Sequence, residues 1–376
     1  MIFIKLLYCL NNALLAFFRF ILFKKLNKKN VERILIFRNG SLGDSICALP
    51  AIEATHNAYP KAKIDLLTHS GGFPELSIAN IIDPLLVNNI INYEGIELRQ
   101  LIQLLKSNKY DLFILLPQVH SPFKKFIKDL LFAKAIKVKY AVGFKRCVIP
   151  VFQKTQSKQS KISNVRDFLL SIAVEAGAQM PDRLSYKLNI KPEDENFIEA
   201  LFIEKNLNIQ SKIAAVTIGA KRPQNRWPIQ YFEVVIDYLQ NLGYSIIIIG
   251  GKDDKLLVDK LDNKNKVVDL TGKLTVMQSA IILKRCSMFI TNDTGPMHLA
   301  YAVGTYTFAI FSSRDFPNLW FPPVELSQVF RNNTIQCSEC FSNTCKNNIC
   351  MQAIKPEQVI KAISNYLYSS TKISHQ

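Results

Sequence analysis

From Arg33 onward, runs of apolar residues without polar interruption alternate with stretches where apolar residues return every three or four positions. The first pattern predicts strands buried on both faces, and the second predicts helices with one buried face. In the first half, RILIFR (33–38), KIDLLT (63–68), YDLFILLP (110–117) and KYAVGF (139–144) read as strands. DSICALPAIEATHNAYP (44–60) and IELRQLIQLLKSN (96–108) read as the helices among them. The rhythm then restarts. KIAAVTIG (212–219), YSIIIIGG (244–251), KVVDLTG (266–272), MFITN (288–292) and YTFAIF (306–311) are strands. PIQYFEVVIDYLQNLG (228–243), LTVMQSAIILKRC (274–286) and PEQVIKAISNYLYSS (356–370) are helices, with a further helical stretch directly after Asn292. Strand–helix alternation with fully apolar strands implies parallel sheets covered on both faces. The expected fold class is therefore α/β, with two doubly wound Rossmann-like domains facing each other across a cleft. The expected divisions are 1–30, 31–189, a polar linker region with its own short helix at 190–210, 211–352, and a closing helix and tail at 353–376.

The pattern before Arg33 differs. MIFIKLLYCLNNALLAFFRFILFKK is apolar for over twenty residues, yet Lys5, Asn12 and Arg19 recur at intervals of seven and so share one line along a helix. A membrane-associating amphipathic helix lying among lipid headgroups fits this spacing, anchored by Lys24, Lys25, Lys28 and Lys29. A single span, a cleaved signal and a helix packed on the protein stay open. The signal reading is the weakest, because no small-x-small cleavage site precedes Lys24.

Charge sharpens this picture more than bulk composition does. The chain has 376 residues and a net charge of +17. Residues 1–30 hold six Lys/Arg and no acid, and residues 121–161 hold eleven against Asp129 alone, so these segments carry nearly all of the excess. Such concentration predicts a surface for something anionic: a membrane, an acidic glycan or a nucleic acid. Lys124, Lys125 and Lys128 interleave with Phe123 and Phe126, which permits stacking on bases but leaves the strand-end motifs unexplained. Of eight cysteines, Cys9, Cys47, Cys147 and Cys286 sit singly in apolar stretches, as reduced cytoplasmic thiols do.

Candidate chemistry collects where strands end. Gly40, Ser41 and Gly43 follow the first strand and Asp44 opens the next helix. Glycines allow close backbone approach, and a helix start favours anions. Asp44 is the candidate general base at the edge where α/β proteins bind ligands, with plain helix capping as the alternative. The spacing is not G-x-G-x-x-G, so no dinucleotide fingerprint is met. In the second half, Thr217 and Gly219 end a strand and Lys221, Arg222 and Arg226 crowd the loop after it. These cations suit a departing diphosphate without a metal. Asp253 or Asp254, in GGKDD, suits ribose hydroxyls. NDTGPMH places Asp293 and Thr294 as caps, Gly295 at a tight helix start and His298 near its first turn, where His298 either serves the site or packs against the sheet. Alone, that motif predicts an anion at a helix N-terminus.

Taken together, RILIFRNGSLGDSICALPAIEA, GAKRPQNRWP, IIIIGGKDD, LTGKLTVMQSAIILKRCSMFITNDTGPMHLAYAVGTYTFAIF and CMQAIKPEQVIKAI resemble the heptosyltransferases, glycosyltransferase family 9. The resemblance spans about residues 32–365. It implies a GT-B fold, with acceptor bound by 31–189 and nucleotide-sugar donor by 211–352. It further implies inverting, metal-independent transfer of a sugar, heptose foremost, from a donor such as ADP-heptose to a lipopolysaccharide core or similar lipid-linked acceptor. No cofactor is implied, and the partners would be the nucleotide sugar, the lipid-linked glycan and an anionic membrane surface, without nucleic acid. The implied location is peripheral, on the cytoplasmic face of the bacterial inner membrane. Asp44 matches the family's proposed base, and Asp293, Thr294, Gly295 and His298 match its donor motif, with the Thr294 and Gly295 amides on the diphosphate. One position departs: where the family usually carries Lys in K-x-W-P, this chain has Asn225, leaving Arg226, Lys221 or Arg222 to supply the charge. A GT-B nucleotide-sugar epimerase or hydrolase, and a non-enzymatic basic binding protein, are the alternatives. Cys337, Cys340, Cys345 and Cys350 have ligand-like spacing, and zinc, disulfides and free thiols all stay open there.

Overall fold

The structure, a computed structural model, describes residues 2–69, 76–145, 164–207 and 212–373. The chain forms two compact units, Met1–Asn189 and Ile190–Gln376. Each holds one sheet in which every pairing is parallel.

The first unit contains β1 (Arg33–Phe37), β2 (Lys63–Thr68), β3 (Asn89–Asn92), β4 (Leu112–Leu115) and β5 (Tyr140–Val142), in the order β3-β2-β1-β4-β5. β1 pairs with β2 on one side, Ile34 opposite Ile64, and with β4 on the other, Ile34 opposite Leu112. Sheet growth thus reverses between β1 and β4, which creates a switch point where the two carboxyl ends diverge. Leu35, Phe37, Phe113 and Leu115 from the strands pack with Leu105, Phe126 and Leu130 from the helices Leu98–Ser107 and Phe123–Ala135. The helices Leu42–Ala58 and Val165–Glu175 pack on each other.

The second unit contains β6 (Ile213–Thr217), β7 (Ser245–Ile248), β8 (Val268–Asp269), β9 (Met288–Asn292), β10 (Thr307–Phe311) and β11 (Ser327–Arg331). Their order, β11-β10-β9-β6-β7-β8, is the six-stranded order of dinucleotide-binding sheets, with its switch point between β6 and β9. The helix Ile229–Asn241 buries Phe232, Val235, Ile236 and Leu239 against this sheet, and the helix Pro356–Ile373 packs beside it through Val359 and Ile363. Tyr366 of that last helix stacks on Tyr306, with ring centroids 4.1 Å apart.

The 190–210 stretch carries a helix, Pro192–Glu204, which belongs to the second unit, packs against the helix Val276–Arg285, and buries Ile198 and Phe202. The helix at the start, α1 (Ile2–Leu22), does form, and its Arg19 side is turned toward the protein. Arg19 donates to the Glu175 carboxylate, which also pairs with Lys145 at 3.3 Å. Leu15 between Asn12 and Arg19 is fully buried, and Phe23 enters the same core. Among the described residues no helix is long and apolar enough to cross a membrane. The basic segment folds as the helix Phe123–Ala135, while its Arg146, Lys154, Lys158 and Lys161 lie outside the described residues.

Phe202 is 1% exposed. Removing such a ring leaves a cavity, so Phe202→Ala is expected to cost about 3 kcal/mol in urea unfolding of the full chain. A cost below about 0.5 kcal/mol, the range of ordinary surface changes, would show that the Phe202 ring is not buried in this way.

Candidate functional site

At the first switch point the chain leaves β1 through Arg38, a residue that is 1% exposed. Its Nη1 donates to the Leu116 and Pro117 carbonyls at the end of β4, at 3.1 and 2.8 Å. Its Nη2 donates to the Asp44 backbone carbonyl at 2.6 Å and to Asp44 Oδ1 at 3.3 Å. One guanidinium therefore joins both strand ends to the start of the helix Leu42–Ala58. Burial pulls the Arg38 pKa below the usual guanidinium value, and the nearby Asp44 charge opposes that fall. The other Asp44 oxygen, Oδ2, accepts from the Ser41 amide at 3.1 Å and the Ser41 hydroxyl at 2.9 Å. Asp44 thus does the work of a helix cap while staying partly exposed, its side chain 18% accessible. Gly40 adopts φ +153°, and a Cβ there would lie 2.3 Å from the Asp44 Cβ, so only glycine lets this carboxylate fold back. Gly43 is buried in the first turn of the same helix, and Ser41 is exposed.

At the second switch point a different side chain does the joining. Asn292, at the end of β9 and with no exposed surface, donates through Nδ2 to the Ile218 and Gly219 carbonyls at 2.9 and 3.1 Å. Its Oδ1 accepts from the Trp227 amide at 2.9 Å. The loop after β6 is thereby fixed to β9. Thr217 is buried and spends its hydroxyl on the Ile249 carbonyl at 2.9 Å, which holds β6 to the loop after β7. Gly219 makes room for a carboxylate: a Cβ there would meet Asp254 Oδ1 at 1.8 Å. Of the GGKDD pair, Asp254 is the one seated in the site, accepting from the Gly251 amide at 2.9 Å, while Asp253 is exposed. Burial raises the Asp254 pKa, and the Arg226 charge partly offsets it.

Asp293 follows Asn292. Its Oδ2 accepts from Asn225 Nδ2 at 3.2 Å, and the Asn225 Oδ1 in turn accepts from the Ser312 hydroxyl at 2.8 Å. Burial, followed by the Asp315 charge, pushes its pKa up to about 7, and Arg222 and Arg314 draw it down less. Thr294 occupies the cap position of the helix Gly295–Ala302, but its side chain makes no capping hydrogen bond. The first-turn amides are therefore not taken up by a Thr294 cap, contrary to the expected capping role. His298 is buried and its Nδ1 lies 2.9 Å from the Tyr301 hydroxyl, so here its ring packs inside the fold. Lys221 and Arg222 are exposed in the loop after β6, and Arg226 is half-buried with Nε on the Ala220 carbonyl at 3.0 Å.

The cysteine segment touches this loop. Asn348 Nδ2 donates to the Arg226 carbonyl at 2.9 Å, and Gln224 Nε2 donates to the Ser342 carbonyl at 3.1 Å. Cys337, Cys340 and Cys345 are exposed thiols and Cys350 a buried one, its pKa raised by that burial. Asn348 N donates to Cys345 Sγ at 3.3 Å. Among the described residues, no group of three or more His, Cys, Asp or Glu side chains is placed to hold a metal ion.

Arg38, Asn292 and Ser312 were not singled out from the sequence. A polar residue ending a wholly apolar strand was the available signal, because such a residue is buried only where strand-end carbonyls need donors.

The chain matches Glycosyltransferase family 9 (heptosyltransferase) over residues 98–350. It is 32% identical over 169 residues to lipooligosaccharide heptosyltransferase 2 of Campylobacter jejuni, covering 42% of this chain and 52% of that relative. The match thus spans about half of that relative's length. It is 24% identical over 352 residues to lipopolysaccharide heptosyltransferase 3 of Escherichia coli, covering 88% of this chain and 97% of the relative. The fold is similar to that of a glycosyl transferase family 9 crystal structure from Veillonella parvula, with a TM-score of 0.69, 21% identity, and 90% and 97% of the two chains covered.

A carboxyl whose pKa rises from 3.8 to about 7 on folding binds its proton more tightly in the folded state. Its contribution is full below pH 4 and is lost as pH rises through 7. Urea unfolding at pH 5 and pH 8 should show wild type losing about 1 to 2 kcal/mol relative to Asp293→Asn over that interval. Equal slopes for the two proteins would show that Asp293 does not titrate there.

Proposed function

The chain belongs to glycosyltransferase family 9, and from that premise we propose that it is an inverting, metal-independent glycosyltransferase. It moves a sugar, heptose foremost, from a nucleotide-diphosphate donor such as ADP-heptose to a lipopolysaccharide core sugar or similar lipid-linked acceptor. The observation that carries this reading is the start of the helix Gly295–Ala302 at the β6/β9 switch point, without a side-chain cap and beside the Lys221–Arg222 loop. Amides with no side-chain cap at a helix start, flanked by cations, suit the two negative phosphates of a nucleotide sugar.

The roles follow from the groups at the two switch points. In the first unit Asp44 accepts the proton of the acceptor hydroxyl, its carboxylate oriented by Ser41 and Arg38. The freed oxygen attacks the anomeric carbon as that carbon's bond to the diphosphate oxygen breaks, so configuration inverts. The nucleoside diphosphate leaves with the bonding electrons, and its growing charge falls to the Thr294 and Gly295 amides with Lys221, Arg222 and Arg226. Asp254 accepts from donor hydroxyls in this reading, supported by its seat against Gly219 where Asp253 is exposed. Asn225 is spent on Asp293 and Ser312, so the loop cations carry the neutralising charge in its place. The chain acts at the cytoplasmic face of the bacterial inner membrane without spanning it, with no cofactor and no nucleic acid.

Asp44→Asn keeps the shape of the side chain but removes the base. Turnover, read as glycosylated acceptor, is expected to fall at least about a hundredfold with donor affinity nearly unchanged. Undiminished turnover would remove Asp44 from the mechanism. In a panel of ADP-, UDP- and GDP-sugars, an ADP-sugar is expected to raise the melting temperature by several degrees at saturation. No stabilisation by any nucleotide sugar would sink the donor reading, and loss of turnover on adding a chelator would overturn metal independence.

A further inference from the structure

With Leu15 and Arg19 of α1 turned toward the protein, the opposite side of the helix faces outward. Leu10, Phe17, Phe20 and Ile21 recur at helical spacing and are 54%, 57%, 81% and 60% exposed. Singly exposed apolar residues are ordinary, but a stripe holding two phenylalanines along one helix marks an interaction surface. The stripe is held firmly. Leu15 and Phe23 insert into the core, Arg19 pairs with Glu175, and Lys134 Nζ donates to the Leu22 carbonyl at the helix end at 3.1 Å. Lys24 N also donates to the Lys139 carbonyl at 3.0 Å. The helix is thus a fixed ridge on the first unit and not a loose tether.

Charge selects the occupant. Directly after the stripe come Lys24 and Lys25, both exposed, and the neighbouring helix Phe123–Ala135 presents exposed Lys124 and Lys128 beside Leu131, itself 58% exposed. A second copy meeting this face across a twofold axis would bring lysines against lysines. An anionic lipid surface accepts both features: phenylalanines enter the acyl boundary while ammonium groups stay among phosphates. We propose that the outward face of α1, with the lysines around it, docks the first unit flat on an anionic phospholipid leaflet. This deepens the proposed reaction, because a lipid-linked acceptor is presented at that leaflet. The apolar face thus meets lipid, as an amphipathic interfacial helix requires, while on the other side Arg19 pairs with the protein.

The test is co-sedimentation of the full chain with vesicles of phosphatidylcholine alone or phosphatidylcholine with phosphatidylglycerol, without donor or acceptor. Wild type is expected to bind the anionic vesicles at least about tenfold more tightly than the neutral ones. Phe17→Ser/Phe20→Ser/Ile21→Ser should weaken anionic binding by about tenfold or more with an unchanged melting temperature. Lys24→Ala/Lys25→Ala should reduce the preference for phosphatidylglycerol. Equal vesicle binding by wild type and the triple serine variant would overturn the proposal, as would no binding by wild type. So would a wild-type dimer that the triple variant converts to monomer, which would give the face to a second copy. Because no sugar transfer is read, failure here leaves the transferase reading standing. Transfer to a delipidated acceptor tests that reading separately.

Discussion

A parallel sheet leaves backbone carbonyls at its carboxyl edge with no strand beyond to take them. At a switch point the neighbouring loops depart in opposite directions, so the edge is also where a ligand can enter. The unpaired carbonyls must be satisfied without filling that space. In each unit a buried polar side chain meets this need at the switch point. Arg38 takes the Leu116 and Pro117 carbonyls in the first, and Asn292 takes those of Ile218 and Gly219 in the second. These clamps reach into both sites. Asp44 is oriented by the remaining arm of Arg38, and the loop that carries Lys221, Arg222 and Arg226 is anchored at Trp227 by Asn292.

The clamps differ in charge, and the difference propagates. Arg38 brings a cation under a carboxylate, giving an oriented group with one side open to solvent. Asn292 is neutral, and the next carboxyl, Asp293, accepts from the neutral Asn225 amide, so burial dominates and its proton is held to near neutrality. A second device recurs. At Gly40, and again at Gly219 with Gly250, the missing Cβ makes space for a carboxylate that bonds the amide three residues before it, Ser41 for Asp44 and Gly251 for Asp254. Glycine at these strand ends therefore admits an acid of the protein itself as much as a substrate.

The interior of both sheets was legible because strands buried on both faces leave uninterrupted apolar runs. The edge strands β3 (NIIN) and β11 (SQVFR) were not, since half-exposed edges carry polar residues and no run. The helix Phe123–Ala135 was hidden under its lysines, which decorate a face that buries only Phe126, Leu130 and Ala133. At the sites, the sequence showed which residues bear charge but not which of them are already engaged. Thr217 and His298 look available in the sequence and are spent on Ile249 and Tyr301. Asp253 and Asp254 are adjacent and equal in the sequence, and the turn of the chain alone separates the exposed one from the seated one. For α1, whether Arg19 meets water or Glu175 depends on a helix more than a hundred and fifty residues away.

The departure at Asn225 then acquires a physical meaning. Asn225 is 5% exposed and closes a relay from the Ser312 hydroxyl to the Asp293 carboxyl through a neutral amide, where a lysine would set a charge against that carboxyl. The residues around it are bound as tightly: Gln224 to Ser342, Arg226 to Ala220, and Asn348 of the cysteine segment back to Arg226. The 337–350 segment thus braces the loop after β6 through backbone and amide groups, and the Asn348 backbone amide in turn donates to Cys345 Sγ. With Asn225 inward and Arg226 half-buried, Lys221 and Arg222 are the loop's exposed cations. Cationic charge that a lysine at position 225 would have contributed from within the fold is in this chain offered from the outer part of the loop.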